Sequence, residues 1–202
     1  MRFSVIIPSF LSMYERAAIH RPQKFIRAVD SLLNQTFPDW EAIIVADGCA
    51  TTRDIYQKYY SHHSNIQLVS IEKQRTWSAV VRNTGILAAQ GEFITYLDTD
   101  DKLGPEHLAI IDAQLKGVHS WVWYDDYIMQ HDYSHKPNPC ELKYGKCGTS
   151  NITHRRDIPV MWSDGTYRHD WVFIQALMQH GNYSKINSPQ YYICHIPERV
   201  DV

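Results

Sequence analysis

Short apolar runs, rich in β-branched and aromatic residues, recur along the first half of the chain. They lie at residues 3–7, 40–46, 66–71 and 93–97. Runs of this length and composition are typical of β-strands that are buried on both faces. Pro8 closes the first run, and because proline cannot donate a hydrogen bond to a neighbouring strand, we expect the first strand to stop there.

The segments between these runs carry apolar residues at the spacing of one helical face. Helices are predicted from Pro22 to about Gln35, from Thr51 or Thr52 to about His62, from beyond Arg75 to Gly91, and from Pro105 to Gly117. Strands that alternate with helices predict a parallel sheet with right-handed crossovers. In such sheets, ligands gather where the carboxyl ends of the strands open a crevice.

The chain after residue 117 has a different pattern. Residues 121–129 combine aromatic side chains with Asp125 and Asp126, and a loop with several prolines and glycines follows. We expect mixed or antiparallel strands here, with the aromatic residues forming either core or platforms on which sugars stack. Asp170 begins a further helix, and a last strand is predicted over residues 191–196.

A group of carboxylates follows the apolar run at residues 93–97. Asp98, Asp100 and Asp101 come directly after it. Unpaired ionised carboxylates are too costly to bury, so the chain must reach the surface at this point. Crowded carboxylates repel one another unless a cation neutralises them, and Mg²⁺ or Mn²⁺ that also binds phosphate oxygens is a common solution. An ordinary turn favours aspartate as well, and the segment alone does not separate the two readings.

Composition narrows the class of protein. The chain has 202 residues, 44% hydrophobic and 21% charged, with a net charge of −2. We therefore expect one globular domain over residues 1–202, with no general reason to bind nucleic acid or an anionic membrane. No apolar run approaches the ~18 residues of a membrane span, and Met1 leads directly into a strand. We expect a cytoplasmic protein without a transmembrane segment.

The cysteines do not suggest a metal site. Cys49, Cys140, Cys147 and Cys194 are too scattered for a zinc ribbon. Because nothing marks the chain as secreted, we expect reduced thiols. A bridge between Cys140 and Cys147 across a loop is the alternative.

Several short motifs follow one another in a distinctive order. They are Val5 to Phe10, Ser31 to Thr36, Asp47-Gly48, Arg82 to Gly85, Gly91-Glu92 before Leu97 to Asp101, and His169-Asp170-Trp171. In this order, over about residues 3–196, they resemble the GT-A fold glycosyltransferases of family 2.

The resemblance implies an α/β fold of the GT-A type. Its Rossmann-like, mostly parallel central sheet would be flanked by helices, with a smaller mixed or antiparallel portion on the acceptor side. Residues 1–117 would form the half that binds the nucleotide sugar. Residues 118–202 would form the half that binds the acceptor and carries the catalytic base.

The resemblance also implies roles in donor binding. Pro8 and Phe10 would border the nucleobase, and Asp47 would accept a hydrogen bond from the edge of the base. Arg75 would contact the donor phosphates, and Asp98 would lie near the ribose or the diphosphate. Uracil is the expected base, although the imide hydrogen of thymine would suit Asp47 equally.

The implied metal site and catalytic base come from separate parts of the chain. Asp100 would approach both the diphosphate and the metal ion, with Asp101 and His195 as further ligands. Mixed carboxylate and imidazole ligands suit Mn²⁺ somewhat better than Mg²⁺. Asp170 would take the proton of the acceptor hydroxyl. One displacement with one base would invert the anomeric centre, with a UDP-sugar as the expected donor and a glycan or another hydroxyl compound as acceptor.

This chain departs from the family pattern at three positions. Ala46 replaces an aspartate before Asp47, Leu11 stands where asparagine is common, and His169 replaces the glutamate before the base. The last change could alter how the acceptor is positioned. The chain also lacks the C-terminal extension of many relatives, so we expect no membrane-anchored synthase.

Each candidate residue also has a structural interpretation. Asp47 could be a turn residue, Arg75 a solvated loop residue, His195 a core histidine and Asp170 a helix cap. Two other functions remain open. A nucleotidyltransferase should show a glycine-rich loop after the first strand, but residues 8–16 contain no glycine. A non-catalytic module that binds nucleotides or glycans is the other alternative.

Overall fold

The computed structural model describes residues 1–14, 17–75, 78–115, 119–163, 168–186 and 190–195. Its helices are α1 (Arg21–Leu33), α2 (Ala50–Ile55, continued by a π-helix over Tyr56–Tyr60), α3 (Ala79–Ala88), α4 (His107–Leu115) and α5 (His169–Leu177). A 3₁₀ turn covers Thr149–Asn151. The strands are β1 (Phe3–Ser9), β2 (Trp40–Asp47), β3 (Ile66–Ile71), β4 (Phe93–Tyr96), β5 (Lys102–Leu103), β6 (Trp121–Tyr124), β7 (Asp126–Met129), β8 (His135–Asn138), β9 (Ile152–Arg155), β10 (Tyr183–Ile186) and β11 (Tyr191–Ile193).

The strands form two sheets. The larger has the order β10-β6-β9-β4-β1-β2-β3, and β9 is antiparallel to both of its neighbours, whereas the other pairs are parallel. The smaller has the order β5-β11-β7-β8 and is mixed. This arrangement confirms the predicted fold class. It also brings the carboxyl ends of β1, β2 and β4 to one edge, since neighbouring parallel strands end on the same side.

Helices cover both faces of the larger sheet. Along β1, Val5 and Ile7 pack with α1 and α4, while Ile6 packs on the opposite face with α3 and α5. Successive side chains of a strand point to opposite faces, so a continuous apolar run is what a sheet covered on both sides requires. The predicted inner face of α4, Leu108, Ile111 and Leu115, is buried.

Strand β1 does not stop at Pro8 as predicted but continues to Ser9. Its pairing with β4 reaches only Ile6, whereas its pairing with β2 continues to Ser9. Beyond Ile6 one side of β1 has no partner strand, so a residue without an N–H group fits there. The last strand is shorter than predicted and ends at Ile193, which leaves His195 in the segment after it.

The buried face of α3 is rotated relative to the prediction. Leu87 and Val80 belong to the apolar stripe that predicts this helix, yet they are 78% and 36% exposed, whereas Arg82 is 5% exposed. Gly85 lies against β1, where an added Cβ would be 2.5 Å from Ile6 Cγ2. This close approach of the helix to the sheet decides which face is buried.

Gly91 does not cap α3, which ends at Ala88 with Ala89 in an extended conformation. An added Cβ at Gly91 would lie 2.6 Å from the Ser4 nitrogen. Glycine is therefore needed because the backbone passes directly over β1. Gly117, the predicted end of α4, lies outside the described residues.

Candidate active site

A cavity of about 520 Å³ opens at the carboxyl ends of β1, β2 and β4. Its walls contain almost all of the predicted site residues, which come from distant parts of the chain: Pro8, Phe10, Asp47, Asp98, Asp100, Asp101, Asp170 and His195. Arg75 is the exception, since it is exposed and does not line this cavity. Carboxylates that are far apart in the sequence therefore share one cleft.

Asp47 is held at the end of β2 by residues that follow β3. Its Oδ2 lies 2.6 Å from Lys73 Nζ, and its Oδ1 accepts a hydrogen bond of 2.7 Å from the Gln74 backbone. Lys73 Nζ also lies 4.2 Å from the centre of the Phe10 ring. Gly48, with φ of 62°, lets the chain turn beside Lys73. Lys73 is thus the cation paired with Asp47, while the predicted contact of Arg75 with the donor phosphates stays a prediction.

Arg82 is a buried cation between two carboxylates. Its Nη2 lies 3.8 Å from Asp98 Oδ1, and its Nη1 lies 3.8 Å from Asp170 Oδ1. Burial raises the pKa of Asp98 above its ordinary value and the charges of Asp100 and Asp170 add to the increase, while Arg82 opposes it. The guanidinium stacks 4.7 Å from the Trp162 ring. The position of Arg82 partly neutralises an otherwise strongly negative cavity.

Asp100 and His195 form a close pair at the mouth of the cavity. His195 Nδ1 lies 2.5 Å from Asp100 Oδ2. This hydrogen bond raises the pKa of His195. Burial would raise the pKa of Asp100, but the contact with His195 brings it below its ordinary value. The predicted meeting of these two residues, whose positions in the sequence are far apart, is thus found.

Asp101 differs from Asp100 because both of its oxygens are already engaged. Oδ2 accepts a hydrogen bond of 2.9 Å from the Tyr191 hydroxyl, and Oδ1 accepts one of 2.8 Å from the Cys194 backbone. Burial and the neighbouring charges of Asp100 and Asp98 raise its pKa well above the ordinary value. Asp101 therefore connects the segment after β11 to the loop of residues 97–101, called the aspartate loop below. Its predicted role as a metal ligand stays untested.

Asp100 and His195 offer two kinds of donor atom to a divalent metal ion. A carboxylate oxygen and an imidazole nitrogen, as in Asp100 and His195, suit Mn²⁺. Among the described residues, no group of three or more His, Cys, Asp and Glu side chains is placed to hold a metal ion. Asp100 and His195 thus supply two donors suited to Mn²⁺, and the predicted metal site stays a prediction.

Asp170 lies in the first turn of α5 and presents its two oxygens differently. Oδ1 accepts a hydrogen bond of 3.0 Å from Thr149 Oγ1 and lies 3.1 Å from His169 Nε2. Burial would raise the pKa of Asp170, but His169, Arg82 and Thr149 together lower it. No hydrogen bond to Oδ2 occurs among the described residues. Asp170 is thus an ionised carboxylate with one anchored oxygen and one open oxygen.

The motif Arg82 to Gly85 joins the two halves of the site. Asn83 makes two hydrogen bonds of 2.8 Å with the backbone of Trp162, one to its carbonyl and one from its N–H. Trp162 stacks on Phe173 of α5 with ring centres 3.9 Å apart. This contact fixes the segment before α5, and hence Asp170, to α3. The loop around residues 164–167 lies outside the described residues.

The sequence predicted no role for four residues that the structure places at or beside the site: Arg21, Lys73, Arg82 and Thr149. Arg82 belongs to the motif Arg82 to Gly85, but the motif did not predict that its side chain is buried between two carboxylates. An arginine on the same helical face as Val81 and Gly85 was the available signal.

All four cysteines are buried free thiols. No helix in the described part of the chain is long and apolar enough to cross a membrane.

Comparison with known sequences identifies related proteins. The family model described as glycosyl transferase family 2 matches residues 4–128, more than half of the chain. WcaA of Escherichia coli (strain K12), named as a colanic acid biosynthesis glycosyl transferase, is 33% identical over 142 residues, which are 69% of this chain and 50% of WcaA. TarS of Staphylococcus aureus (strain Mu50), a poly(ribitol-phosphate) beta-N-acetylglucosaminyltransferase, is 32% identical over 59% of this chain and 20% of TarS. The chain thus spans half or less of these relatives.

Solved structures share the fold. TarS in complex with UDP has a TM-score of 0.77 and 19% identity, covering 96% of this chain and 60% of that one. The mannosyltransferase PcManGT from Pyrobaculum calidifontis, in complex with GDP-Man and Mn²⁺, has a TM-score of 0.69 and 14% identity, covering 98% and 58%. At these identities the likeness shows the fold, while the family model covers the strands and loops that carry Asp47 and Asp98 to Asp101. This chain belongs to glycosyl transferase family 2.

Proposed function

We propose that this chain transfers a sugar from a nucleoside diphosphate sugar to a hydroxyl group, with inversion and with Asp170 as the general base. The observation that carries the proposal is that Asp170 shares one cavity with Asp98, Asp100 and His195. Family membership supports it, as do solved relatives in complex with UDP-GlcNAc or with GDP-Man and Mn²⁺. We further propose that residues 1–117 bind the donor and residues 118–202 the acceptor.

The base of the donor would bind between Phe10 and Asp47. The Gln74 backbone donates to one oxygen of Asp47 and Lys73 contacts the other. The nucleobase can therefore offer Asp47 one hydrogen-bond donor but hardly a second. A single imide N–H beside a carbonyl group matches this arrangement, because Asp47 can accept from the imide while Lys73 donates to the carbonyl. Uracil and thymine have this pattern. We therefore favour UDP, or dTDP, as the carrier.

The diphosphate would lie between the aspartate loop and the two arginines of the cavity. Asp100 and His195 would hold a divalent metal ion, which would supply Lewis-acid stabilisation of the charge on the departing diphosphate. Arg82 has two buried guanidinium nitrogens without a hydrogen-bond partner, Nε and Nη1, and Arg21 has one, Nε. Both arginines line the cavity. They are suited to bind phosphate oxygens, since guanidinium groups form paired hydrogen bonds to phosphate.

Asp170 would take the acceptor proton through Oδ2. Oδ1 is anchored by Thr149 and His169, so the carboxylate keeps its orientation, while Oδ2 has no hydrogen bond among the described residues. The lowered pKa keeps this group ionised at neutral pH, which a base requires. As Asp170 Oδ2 takes the proton, the acceptor oxygen attacks the anomeric carbon on the face opposite the departing diphosphate. A single displacement of this kind inverts the configuration.

A test of this function compares the native protein with Asp170→Asn. Candidate nucleotide sugars are first identified by thermal shift with Mn²⁺, since a ligand of the native state raises apparent stability. Release of the nucleoside diphosphate is then measured with the donors that bind. We expect Asp170→Asn to lower kcat by about 10²–10⁴-fold, the usual contribution of a general base, with donor binding retained. Equal rates would reject Asp170 as the base, and binding without turnover of any donor would favour a binding module.

A further inference from the structure

A second cavity, of about 530 Å³, is also lined by Asp170, the proposed base. Gly148, Ser150, His169 and Asp170 line both this cavity and the donor cavity. The two spaces therefore share one wall, and the wall contains the proposed base. A molecule in the second cavity would therefore lie beside Asp170.

Gly148 leaves the space beside Asp170 Oδ2 open. A Cβ at this position would have only two neighbours, Asp170 Oδ2 at 3.7 Å and Asn151 Oδ1 at 4.0 Å. The backbone of Gly148 is extended, with φ of −140°, so its conformation does not require glycine. The missing side chain instead provides room next to the oxygen that has no hydrogen bond among the described residues. A branched side chain there would fill that room.

The exposed charges around the second cavity are positive. Lys146 and Arg168 are both exposed and line the cavity, and the Arg168 guanidinium lies 5.2 Å from the centre of the Tyr144 ring. Asp126 also lines it but is only 1% exposed. Its carboxylate accepts hydrogen bonds from Asn138, Ser150 and Asn151. The Asp126 carboxylate is therefore buried and hydrogen-bonded, while Lys146 and Arg168 are exposed.

We propose that the second cavity is the acceptor subsite and that it takes a saccharide or polyol carrying a carboxylate or phosphate group. The proposal rests on the proposed function, because it needs Asp170 to act as the base. The carboxylate or phosphate of the ligand pairs with Lys146 and Arg168, and its sugar or polyol packs on Tyr144. The reacting hydroxyl reaches Asp170 Oδ2 past Gly148. Aromatic faces and cations together are what binding of an anionic saccharide requires.

The test measures binding of three probes by saturation-transfer NMR in the presence of UDP and Mn²⁺. The probes are methyl glucuronoside, ribitol 5-phosphate and the neutral methyl glucoside. We expect at least one acidic probe to bind more tightly than the neutral one, and the stronger of the two identifies carboxylate or phosphate as the recognised group. Lys146→Met should weaken that probe by about threefold to tenfold, the range for a partly exposed charge pair.

Lys143→Met provides the matched control. Lys143 is on the same loop but is paired with Glu141 and does not line the cavity. We expect it to leave probe binding unchanged. Gly148→Val should abolish probe binding, and its melting temperature shows whether the variant is folded.

Three results would overturn the proposal: equal binding of all three probes, equal effects of Lys146→Met and Lys143→Met, or probe binding that survives Gly148→Val. Failure of the proposed function has a different signature. In that case neither UDP nor any nucleotide sugar binds the native protein, whatever the probes do.

Discussion

Arg82 on α3 and Asp170 on α5 meet inside the cavity, with Arg82 Nη1 3.8 Å from Asp170 Oδ1. The distance is longer than a hydrogen bond, so the contact is electrostatic. It brings a buried cation to the proposed base. The same side chain is equally close to Asp98. Arg82 is therefore positioned to act on both the donor and the base.

Replacing Arg82 with methionine should move the acid limb of the pH–rate profile to higher pH. Arg82 and His169 lower the pKa of Asp170, while Asp98 adds an opposing negative charge. Without Arg82 the pKa of Asp170 rises, so the ionised base is lost at a higher pH as the solution is acidified. The measurement is kcat between pH 4 and 8, roughly the range in which carboxyl and imidazole groups titrate. Arg53→Met, on the exposed face of α2, is the control, and an unmoved acid limb would contradict the role of Arg82.

Metal activation should depend on Asp100 and His195 more than on Asp101. We expect Asp100→Asn and His195→Gln each to raise the Mn²⁺ concentration for half-maximal activity by about tenfold or more, as loss of a metal-site contact does. Asp101→Asn should leave this concentration nearly unchanged and lower the melting temperature, because Asp101 bonds Tyr191 and Cys194. Titration of activity with Mn²⁺ checks both statements, with the exposed His131→Gln as control. A large increase in this Mn²⁺ concentration for Asp101→Asn would show that Asp101 is a metal ligand.

Lys73→Met should weaken donor binding without slowing the chemical step. Lys73 contacts Asp47 and the Phe10 ring but lies away from Asp170, so its contribution is the same in the ground state and the transition state. The loss of one hydrogen bond raises KM for the donor by about twofold to tenfold at constant kcat. Steady-state kinetics with the preferred donor provide the measurement. Lys58→Met, on the exposed π-helix, should change neither constant, and a fall in kcat for Lys73→Met would place Lys73 closer to the reaction.

Gly91→Ala should destabilise the fold. The added Cβ would lie 2.6 Å from the Ser4 nitrogen and 2.7 Å from the Phe3 carbonyl carbon, so backbone rather than a flexible side chain must move. We expect a loss of ~1–3 kcal/mol in the free energy of unfolding, as for other overpacked sites. Urea denaturation measures it. Gly148→Ala is the matched control, since its Cβ meets nothing closer than 3.7 Å. Equal stability of the two variants would show that β1 and Gly91 can separate without cost.

Side chains at strand ends were the most predictable part of the site. Asp47 and Asp98 follow buried apolar runs, and parallel strands must end at one edge, so their meeting follows from chain order alone. The burial of Arg82 was harder to predict, because it depends on how closely Gly85 lets α3 approach Ile6. No pattern of apolar residues records that distance.

For residues 3–115 the sequence by itself determined the alternation of strands and helices and the sheet edge at which Asp47 and Asp98 to Asp101 lie, because both follow from hydrophobic periodicity and chain direction. Only the tertiary structure decided what each carboxylate does. Asp100 and Asp101 are neighbours of the same type, yet one faces His195 in the cavity while the other is engaged by Tyr191 and the Cys194 backbone. The physical reason is that a carboxylate's role depends on the donors around it, and those donors arrive from β11 and the segment after it through long-range packing.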